Sequence, residues 1–232
     1  MRADCPVSAL PLPGFRPGEP LPASLDALLD ALAGAVRSAV GDEPFAVVGY
    51  SSDGLLAHAV AERVGARAVV LLDSRPLDAY RAADSERLLA GLAARADYLD
   101  DIRLTAMGGY LRLLAGVSPQ PHGRPTLLVT AAEREAEPLA PWPLPHAEVS
   151  APGDHFTLIE EHAETTAKAV GTWLAELGQL ASPVQSRPGT GSYAWAAARS
   201  AAAHHPRLCP PYHRPACCGS CSRNTAFAPT GY

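Results

Sequence analysis

The sequence predicts an α/β fold with a mostly parallel sheet and helices on both of its faces. Two short apolar runs, residues 45–50 and 68–73, flank a stretch with apolar residues at helical spacing. A strand, a helix and a strand within about 30 residues form a βαβ unit, in which the two strands are parallel. A third apolar run of strand length follows at residues 125–130. This alternation is typical of an open α/β sheet.

The first half of the chain predicts an irregular segment followed by two helices. Residues 6–22 are rich in proline, which favours irregular structure. Ser24 can cap a first helix, because apolar residues follow it at helical spacing: Leu25, Leu28, Leu29, Leu32 and Val36. The strand at 45–50 is followed by a second series at helical spacing, formed by Leu55, Leu56, Ala59, Val60 and Val64.

The second half of the predicted domain begins with a helical insertion. Residues 84–115 are rich in leucine and alanine and predict about two helices with no strand between them. An insertion of this kind suits a lid over a site at the strand ends. A shorter strand at 146–150 and a closing helix complete a domain that we place at residues 1–179; the helix is predicted from Ala163, Ala167, Val170, Leu174 and Leu177.

Charge divides the chain at Glu176. All 24 acidic residues lie at or before this position, whereas five of the 19 basic residues follow it. An acidic main domain does not suit binding to a phosphate backbone, so we predict no nucleic-acid partner. No window approaches the ~18 to 20 apolar residues of a membrane span, and the N-terminus lacks the pattern of a signal peptide. We therefore predict a soluble, cytoplasmic protein with no membrane partner.

Residues 180–232 predict a low-complexity, disordered tail outside the domain. Periodicity ends there, acidic residues and lysine are absent, and proline is frequent. Several potential zinc ligands lie in this tail: Cys209, His213, Cys217, Cys218 and Cys221. A single C-x-x-C without a second paired set is weak evidence, and we predict no metal site. The same composition fits sequence translated from a shifted reading frame.

The strongest chemical signal is residues 49–54, Gly-Tyr-Ser-Ser-Asp-Gly, between a buried strand and a helix. In a G-x-S-x-G turn the serine is presented on a tight strand-to-helix turn. We predict Ser51 as a nucleophile and the backbone N–H of Ser52 as an oxyanion donor, aided by the helix dipole. An ordinary turn in which Ser51 caps the helix is the alternative. Asp53 replaces the second glycine, and we expect it to crowd the turn and oppose an oxyanion.

Two further residues complete a candidate triad. Asp73 ends the second strand, at the edge where open α/β sheets place their sites. His155 follows the last strand within Pro-Gly-Asp-His-Phe, and its side chain is suited to deprotonate a serine. Taken singly, Asp73 could cap a helix and His155 could be structural. The chain order Ser51, Asp73, His155 is nonetheless that of α/β-hydrolases.

Residues 6–178 resemble the terminal thioesterase domain of modular polyketide synthases, as in macrolide pathways. The most distinctive matching stretch is 151–167, APGDHFTLIEEHAETTA; the others are 11–24, 44–61, 68–76, 100–114 and 124–133. In that family the serine of the turn, the Asp that ends the next strand and the His of P-G-D-H-F form the triad. These positions fall on Ser51, Asp73 and His155. Stand-alone editing thioesterases place the acid after the later strand, where this chain offers Glu133 and Glu135.

The resemblance implies an α/β-hydrolase fold and a thioesterase that acts through an acyl-serine intermediate. Such an enzyme takes an acyl or polyketide chain from the phosphopantetheine of an acyl carrier protein and releases it by hydrolysis or macrolactonisation. The implied partners are a carrier protein or synthase module, the acyl thioester and, in a homodimer, a second copy of the chain. No cofactor is implied. A stand-alone editing (type II) thioesterase and a truncated non-catalytic remnant are the alternatives.

The chain departs from the family pattern at three places. Tyr50 stands where histidine is usual, and Asp53 stands where glycine or alanine is usual. Family members also begin with further strands, one of which precedes a loop that supplies a second oxyanion N–H. Because Met1 comes almost directly before the matching segment, we expect those strands and that donor to be missing. One lost oxyanion donor costs about 100- to 1000-fold in rate.

Overall fold

The computed structural model describes residues 7–40, 43–79, 82–133, 142–180 and 194–198. The described strands and helices follow one another in the order β1 (Val7–Leu10), α1 (Leu25–Val40), β2 (Phe45–Tyr50), α2 (Asp53–Ala61), β3 (Ala68–Leu72), α3 (Ala82–Ala93), α4 (Asp101–Leu114), β4 (Thr126–Ala131), β5 (Ala147–Ala151), α5 (Ala163–Leu180) and β6 (Ala194–Ala198). None of the described helices has the length and apolar character needed to cross a membrane. The predicted α/β architecture is confirmed.

The sheet has the strand order β1-β6-β2-β3-β4-β5, and every neighbouring pair is parallel. In such a sheet the carboxyl ends of the strands meet at one edge, where α/β proteins place their sites. β2 and β3 are neighbours, and Tyr50 lies opposite Leu72. The next residue of each strand, Ser51 and Asp73, therefore emerges at the same edge.

Alternate residues of the central strands enter two separate cores. Phe45 and Val47 of β2 pack in the core that includes α1 and α2, whereas Ala46 and Val48 pack with residues of α5. Successive side chains of a strand point to opposite faces, so helices on both sides bury every position. This double burial explains why the central strands read as unbroken apolar runs.

Two strands differ from the sequence prediction. β1 lies within the proline-rich segment for which we expected irregular structure, and β6 lies within the predicted tail. β6 occupies the position between β1 and β2 and pairs in parallel with both. Pairing on two sides satisfies the backbone hydrogen-bonding groups, which explains a strand in an alanine-rich segment. The difference concerns residues 194–198; the remaining tail, with its cysteines, lies outside the described residues.

The helices α3 and α4 lie between β3 and β4 in the chain, as the insertion at 84–115 predicted. Tyr110 of α4 is buried, and its hydroxyl donates to the carbonyl oxygen of Pro13 at 2.9 Å. A Cβ on Gly109 would lie 2.8 Å from Cδ1 of Leu21. These contacts hold α4 against the loop that follows β1.

Candidate active site

Ser51 stands in the turn between β2 and α2 with a left-handed backbone, at φ 56°. Among the described residues other than glycine, only Ser51 and Asp73 have positive φ, and the φ of Asp73 is 45°. Such a conformation costs on the order of 1–3 kcal/mol in a residue with a side chain, and it is found preferentially at functional sites. The N–H of Gly54 donates to the carbonyl oxygen of Ser51 at 3.2 Å and closes the turn.

Two glycines make this turn possible. A Cβ on Gly49 would lie 2.4 Å from the backbone oxygen of Asp53, and a Cβ on Gly54 would lie 2.1 Å from Oγ of Ser74. Asp53 itself begins α2 without a positive φ, so its position does not require glycine. The closest packing of the turn lies at Gly49 and Gly54, and the expected effect of Asp53 stays a prediction.

The structure brings Ser51, Asp73 and His155 together. Nε2 of His155 lies 3.0 Å from Oγ of Ser51, and Nδ1 of His155 lies 2.7 Å from Oδ2 of Asp73. The Asp73 side chain is 3% exposed, and its Oδ1 also accepts from the N–H of Ala131 at 3.3 Å. The His155 side chain is 16% exposed. This arrangement is suited to move a proton from a serine hydroxyl to an imidazole that a carboxylate orients.

His155 is carried by the loop between β5 and α5. Gly153 turns the chain with φ 88°, and a Cβ there would lie 2.5 Å from Oγ1 of Thr157. Oδ1 of Asp154 accepts from the backbone N–H groups of Thr157 at 2.8 Å and Phe156 at 2.9 Å. The backbone hydrogen bond from Thr157 is the main reason that the pKa of Asp154 is lowered. Asp154 thus stabilises the loop that holds His155.

Of the described acids, Asp73 makes the contact to His155, and Glu133 does not. Nδ1 of His155 has Asp73 as its carboxylate partner. Glu133 lies after β4 with its side chain exposed, and its backbone N–H donates to the carbonyl oxygen of Gly153 at 3.0 Å. Glu135 lies outside the described residues.

Ser52 directly follows Ser51 and is the N-cap of α2. The first N–H groups of a helix have no partner within the helix, and the helix dipole favours negative charge near them. The N–H of Ser52 is thus in the setting that the predicted oxyanion donor needs.

A cleft of about 380 Å³ opens between the loop after β1 and the first half of α4. Its lining combines apolar and charged side chains, among them Arg16, Glu19, Leu21, Asp101, Ile102 and Ala106. Burial, and secondarily the charge of Asp53, raises the pKa of Tyr110, which lies further along α4. The hydroxyl of Tyr110 also bonds to Pro13 in the loop after β1, so this bond joins the two walls of the cleft.

Comparison with known proteins identifies relatives of the chain. The thioesterase domain family model matches residues 1–106. Erythronolide synthase EryA3 of Saccharopolyspora erythraea is 40% identical over 191 residues, which cover 75% of this chain and 6% of that synthase. Polyketide synthase GfsE of Streptomyces halstedii is 42% identical over 187 residues, which cover 74% of this chain and 5% of that protein. The chain therefore spans only a small part of the length of these relatives.

A solved structure gives the same fold. The NocB thioesterase domain from the nocardicin cluster matches with a TM-score of 0.55 and 21% identity, over 70% of this chain and 79% of that one. In the part of the chain that the structure describes, no three or more His, Cys, Asp or Glu side chains are grouped so that they could hold a metal ion. The tail cysteines lie outside that part. Residues 1–106 are therefore similar to the thioesterase-domain family, and most of the chain is homologous to a segment of polyketide synthases.

Proposed function

We propose that this chain releases an acyl chain from a phosphopantetheine thioester through an acyl-serine intermediate on Ser51. The observation that carries the proposal is the hydrogen-bonded series from Oγ of Ser51 through the two ring nitrogens of His155 to Oδ2 of Asp73. The homology to polyketide synthase segments supplies the substrate class, an acyl or polyketide chain bound to a carrier protein.

In the first half of the reaction, Oγ of Ser51 attacks the thioester carbonyl carbon while Nε2 of His155 accepts the serine proton. Asp73 keeps the proton on Nδ1 and stabilises the imidazolium that forms. The N–H of Ser52 donates to the oxyanion of the tetrahedral intermediate. His155 then returns the proton to the departing thiolate of phosphopantetheine, and the acyl group remains on Ser51 as an ester.

In the second half, a hydroxyl group attacks the acyl ester and His155 again takes its proton. If the hydroxyl belongs to water, the product is a free acid; if it belongs to the acyl chain, the product is a macrolactone. Both routes use the same three side chains and return the proton to Oγ of Ser51. The choice between them depends on whether the acyl channel, shaped by α3 and α4, folds the chain back and excludes water.

The position of the acid favours a terminal domain over an editing thioesterase. Asp73 follows β3. Editing thioesterases place the acid after a later strand, which corresponds to the position of Glu133 in this chain. The relatives EryA3 and GfsE are polyketide synthases. We therefore infer that the natural donor is an acyl carrier protein of a synthase module.

A serine-directed fluorophosphonate and an acyl-N-acetylcysteamine thioester test this function together. We expect the probe to label Ser51, the thioester to be consumed, and both reactions to be lost in Ser51→Ala. The control is Ser38→Ala, because Ser38 is an exposed serine on α1. Mass spectrometry of the product distinguishes acid from lactone. Labelling that survives Ser51→Ala would falsify the assignment, and a folded wild-type chain without turnover would favour the non-catalytic alternative.

A further inference from the structure

We propose that Tyr50 is a positioning residue that holds His155 in the orientation needed to accept the proton of Ser51. The inference deepens the proposed function and rests on it. The Tyr50 hydroxyl donates to the backbone carbonyl oxygen of His155 at 2.7 Å. The two rings are also stacked, with centroids 4.9 Å apart and an interplanar angle of 27°. Tyr50 therefore touches His155 at two separate points, its main chain and the face of its ring.

These two contacts restrain motions that the other bonds of His155 leave open. The bonds to Asp73 and Ser51 involve the ring nitrogens, whose hydrogen-bonding directions lie in the plane of the imidazole. Bonds in that plane resist displacement along it better than tilting out of it. An aromatic ring packed on the face of the imidazole resists the tilt. The bond to the carbonyl oxygen fixes the loop that carries the ring.

The position of Tyr50 in the chain links the placement of His155 to that of Ser51. Tyr50 is the last residue of β2 and directly precedes Ser51, so a single peptide bond joins the positioning residue to the nucleophile. The other residues of β2 are buried. The strand pairs with β3, and Tyr50 lies opposite Leu72, the residue before Asp73. A displacement of His155 relative to Tyr50 is thus also a displacement relative to Ser51.

Two substitutions separate the roles of the hydroxyl and the ring. Tyr50→Phe keeps the stacked ring and removes the bond to the carbonyl oxygen, and Tyr50→Leu removes both. A misplacement of about 1 Å at a reacting group can cost about 100-fold in rate. For an acyl-N-acetylcysteamine thioester we expect kcat to fall about 3- to 10-fold in Tyr50→Phe and about 100-fold in Tyr50→Leu. Since Tyr50 acts through His155, KM should stay within about twofold of wild type.

The matched control is Thr166→Val, which removes another hydroxyl that bonds to the loop carrying His155. The Thr166 hydroxyl donates to the carbonyl oxygen of Leu158 at 2.8 Å, and the Thr166 side chain is buried on α5. Valine keeps the shape of threonine, so the loop loses one bond without a cavity. We expect Thr166→Val to melt at a lower temperature and to keep the wild-type kcat. If kcat falls as far in Thr166→Val as in Tyr50→Phe, then any weakening of the loop lowers kcat. That result would overturn the proposal.

A proton NMR measurement tests the positioning without turnover. An imidazole N–H bound to a carboxylate gives a resolved signal far downfield, and the bond between His155 and Asp73 predicts one here. We expect this signal in wild type, Ser51→Ala and Thr166→Val, and its broadening or loss in Tyr50→Leu. A wild-type chain that lacks turnover but shows this pattern would contradict the proposed function and leave the positioning role intact. A folded Tyr50→Leu protein that keeps both the signal and kcat would overturn the positioning role. If Tyr50→Leu does not fold, Tyr50→Phe decides by its kcat.

Discussion

The backbone N–H of Ser51 donates a hydrogen bond to the carbonyl oxygen of Leu72 at 2.9 Å. This bond joins the turn that carries Ser51 to the residue before Asp73. The N–H of Asp73 in turn donates to the carbonyl oxygen of Val129 at 2.7 Å. The ends of β2, β3 and β4 are thus connected by main-chain bonds. The distance between Ser51 and Asp73 therefore depends on the sheet more than on their side chains, so substitutions of those side chains should leave the fold intact.

We predict that Asp73→Asn lowers kcat by about four orders of magnitude, as for the acid of the serine-protease triad, because an amide cannot stabilise the imidazolium and favours the wrong tautomer of His155. Circular dichroism should show a folded protein. The matched control is Glu133→Gln, which removes the carboxylate at the later strand and should keep kcat within about twofold of wild type. A larger loss in Glu133→Gln than in Asp73→Asn would assign the acid to the later strand.

Asp53→Asn should raise the rate. Asp53 is buried and lies two residues from Ser51, the proposed nucleophile, and we expect its charge to oppose the oxyanion of the intermediate. Removal of about 1.4 kcal/mol of repulsion corresponds to a tenfold gain. We expect a gain of about this size in kcat/KM for the thioester, together with a lower melting temperature, since an acidic residue at a helix N-terminus contributes about 0.3–1 kcal/mol.

Asp53→Gly separates charge from bulk at this position. Because Asp53 begins α2 without a positive φ, glycine should bring no rate gain beyond that of asparagine and should destabilise the helix further. Faster turnover in Asp53→Gly than in Asp53→Asn would show that bulk matters after all. An unchanged rate in both folded variants would exclude Asp53 as the limit on activity.

Arg95 should couple the helical insertion of α3 and α4 to the loop of His155. It follows α3, and its Nε and Nη2 donate to the Glu160 carboxylate at 2.8 Å and 2.6 Å. Its guanidinium also lies 4.2 Å from the ring centroid of Phe156, the neighbour of His155. The hydrogen bond to Glu160 is the main reason that the pKa of Arg95 is raised. We predict that Arg95→Ala speeds hydrogen exchange of α3 amides and raises KM.

The control for this prediction is Arg63→Ala. Arg63 makes comparable bonds to Asp26 and Asp30 at 2.6 Å and 2.7 Å, but these partners lie on α1. Salt bridges of this exposure contribute about 0–1 kcal/mol, so both variants should lose little stability. Exchange in α3 should change in Arg95→Ala alone. Equal acceleration in both variants would mean that Arg95 has no specific role in the helical insertion.

Stability should fall in mild acid because of His58. Its ring stacks on His122 with centroids 4.0 Å apart and contacts Trp142 edge-on at 5.2 Å. Burial, and secondarily the charge of His122, lowers the pKa of His58 to about 4. An unfolded histidine has a pKa near 6.5, so the unfolded chain binds the proton first. The contribution is complete above about pH 6.5 and is lost as the pH falls toward 4.

Urea denaturation at pH 7 and pH 4.5 measures this effect. We expect a loss on the order of 2 kcal/mol from His58 over that interval, in addition to the losses from carboxylates that are common to all variants. His58→Phe keeps an aromatic ring against His122 and removes the titrating group. The difference in unfolding free energy between the two pH values should therefore be smaller in His58→Phe. Equal losses in both proteins would contradict the prediction.

The three residues that the structure brings together, Ser51, Asp73 and His155, could be predicted because each has a local signal. Ser51 lies in a recognisable turn, Asp73 ends an apolar run, and His155 follows a glycine that permits the loop. The contacts of Tyr50 could not be predicted, because its hydroxyl bonds to a residue 105 positions away. The need for glycine at position 54 could not be predicted either, because it comes from Ser74, which packs where a Cβ would lie.

Two strands escaped prediction for a related reason. β1 has four residues, three of them exposed, and shows no apolar run. β6 is alanine-rich, a composition that favours helix over strand. Both form because a partner strand from the other end of the chain satisfies their backbone, with Val7 paired to Trp195. Local pattern carries no information on such distant pairing.

Because Ser51 has a left-handed backbone, selection for thermostability alone would favour its replacement by glycine. Glycine adopts a φ of 56° without the penalty of about 1–2 kcal/mol that a side chain brings. Ser51→Gly should therefore yield a more heat-resistant protein that lacks the proposed nucleophile. A library sorted by melting temperature alone would enrich such inactive sequences. Engineering of this chain should keep positions 51 and 73 fixed and seek stability at sites such as Gly34 of α1, where a Cβ would meet nothing within 4 Å.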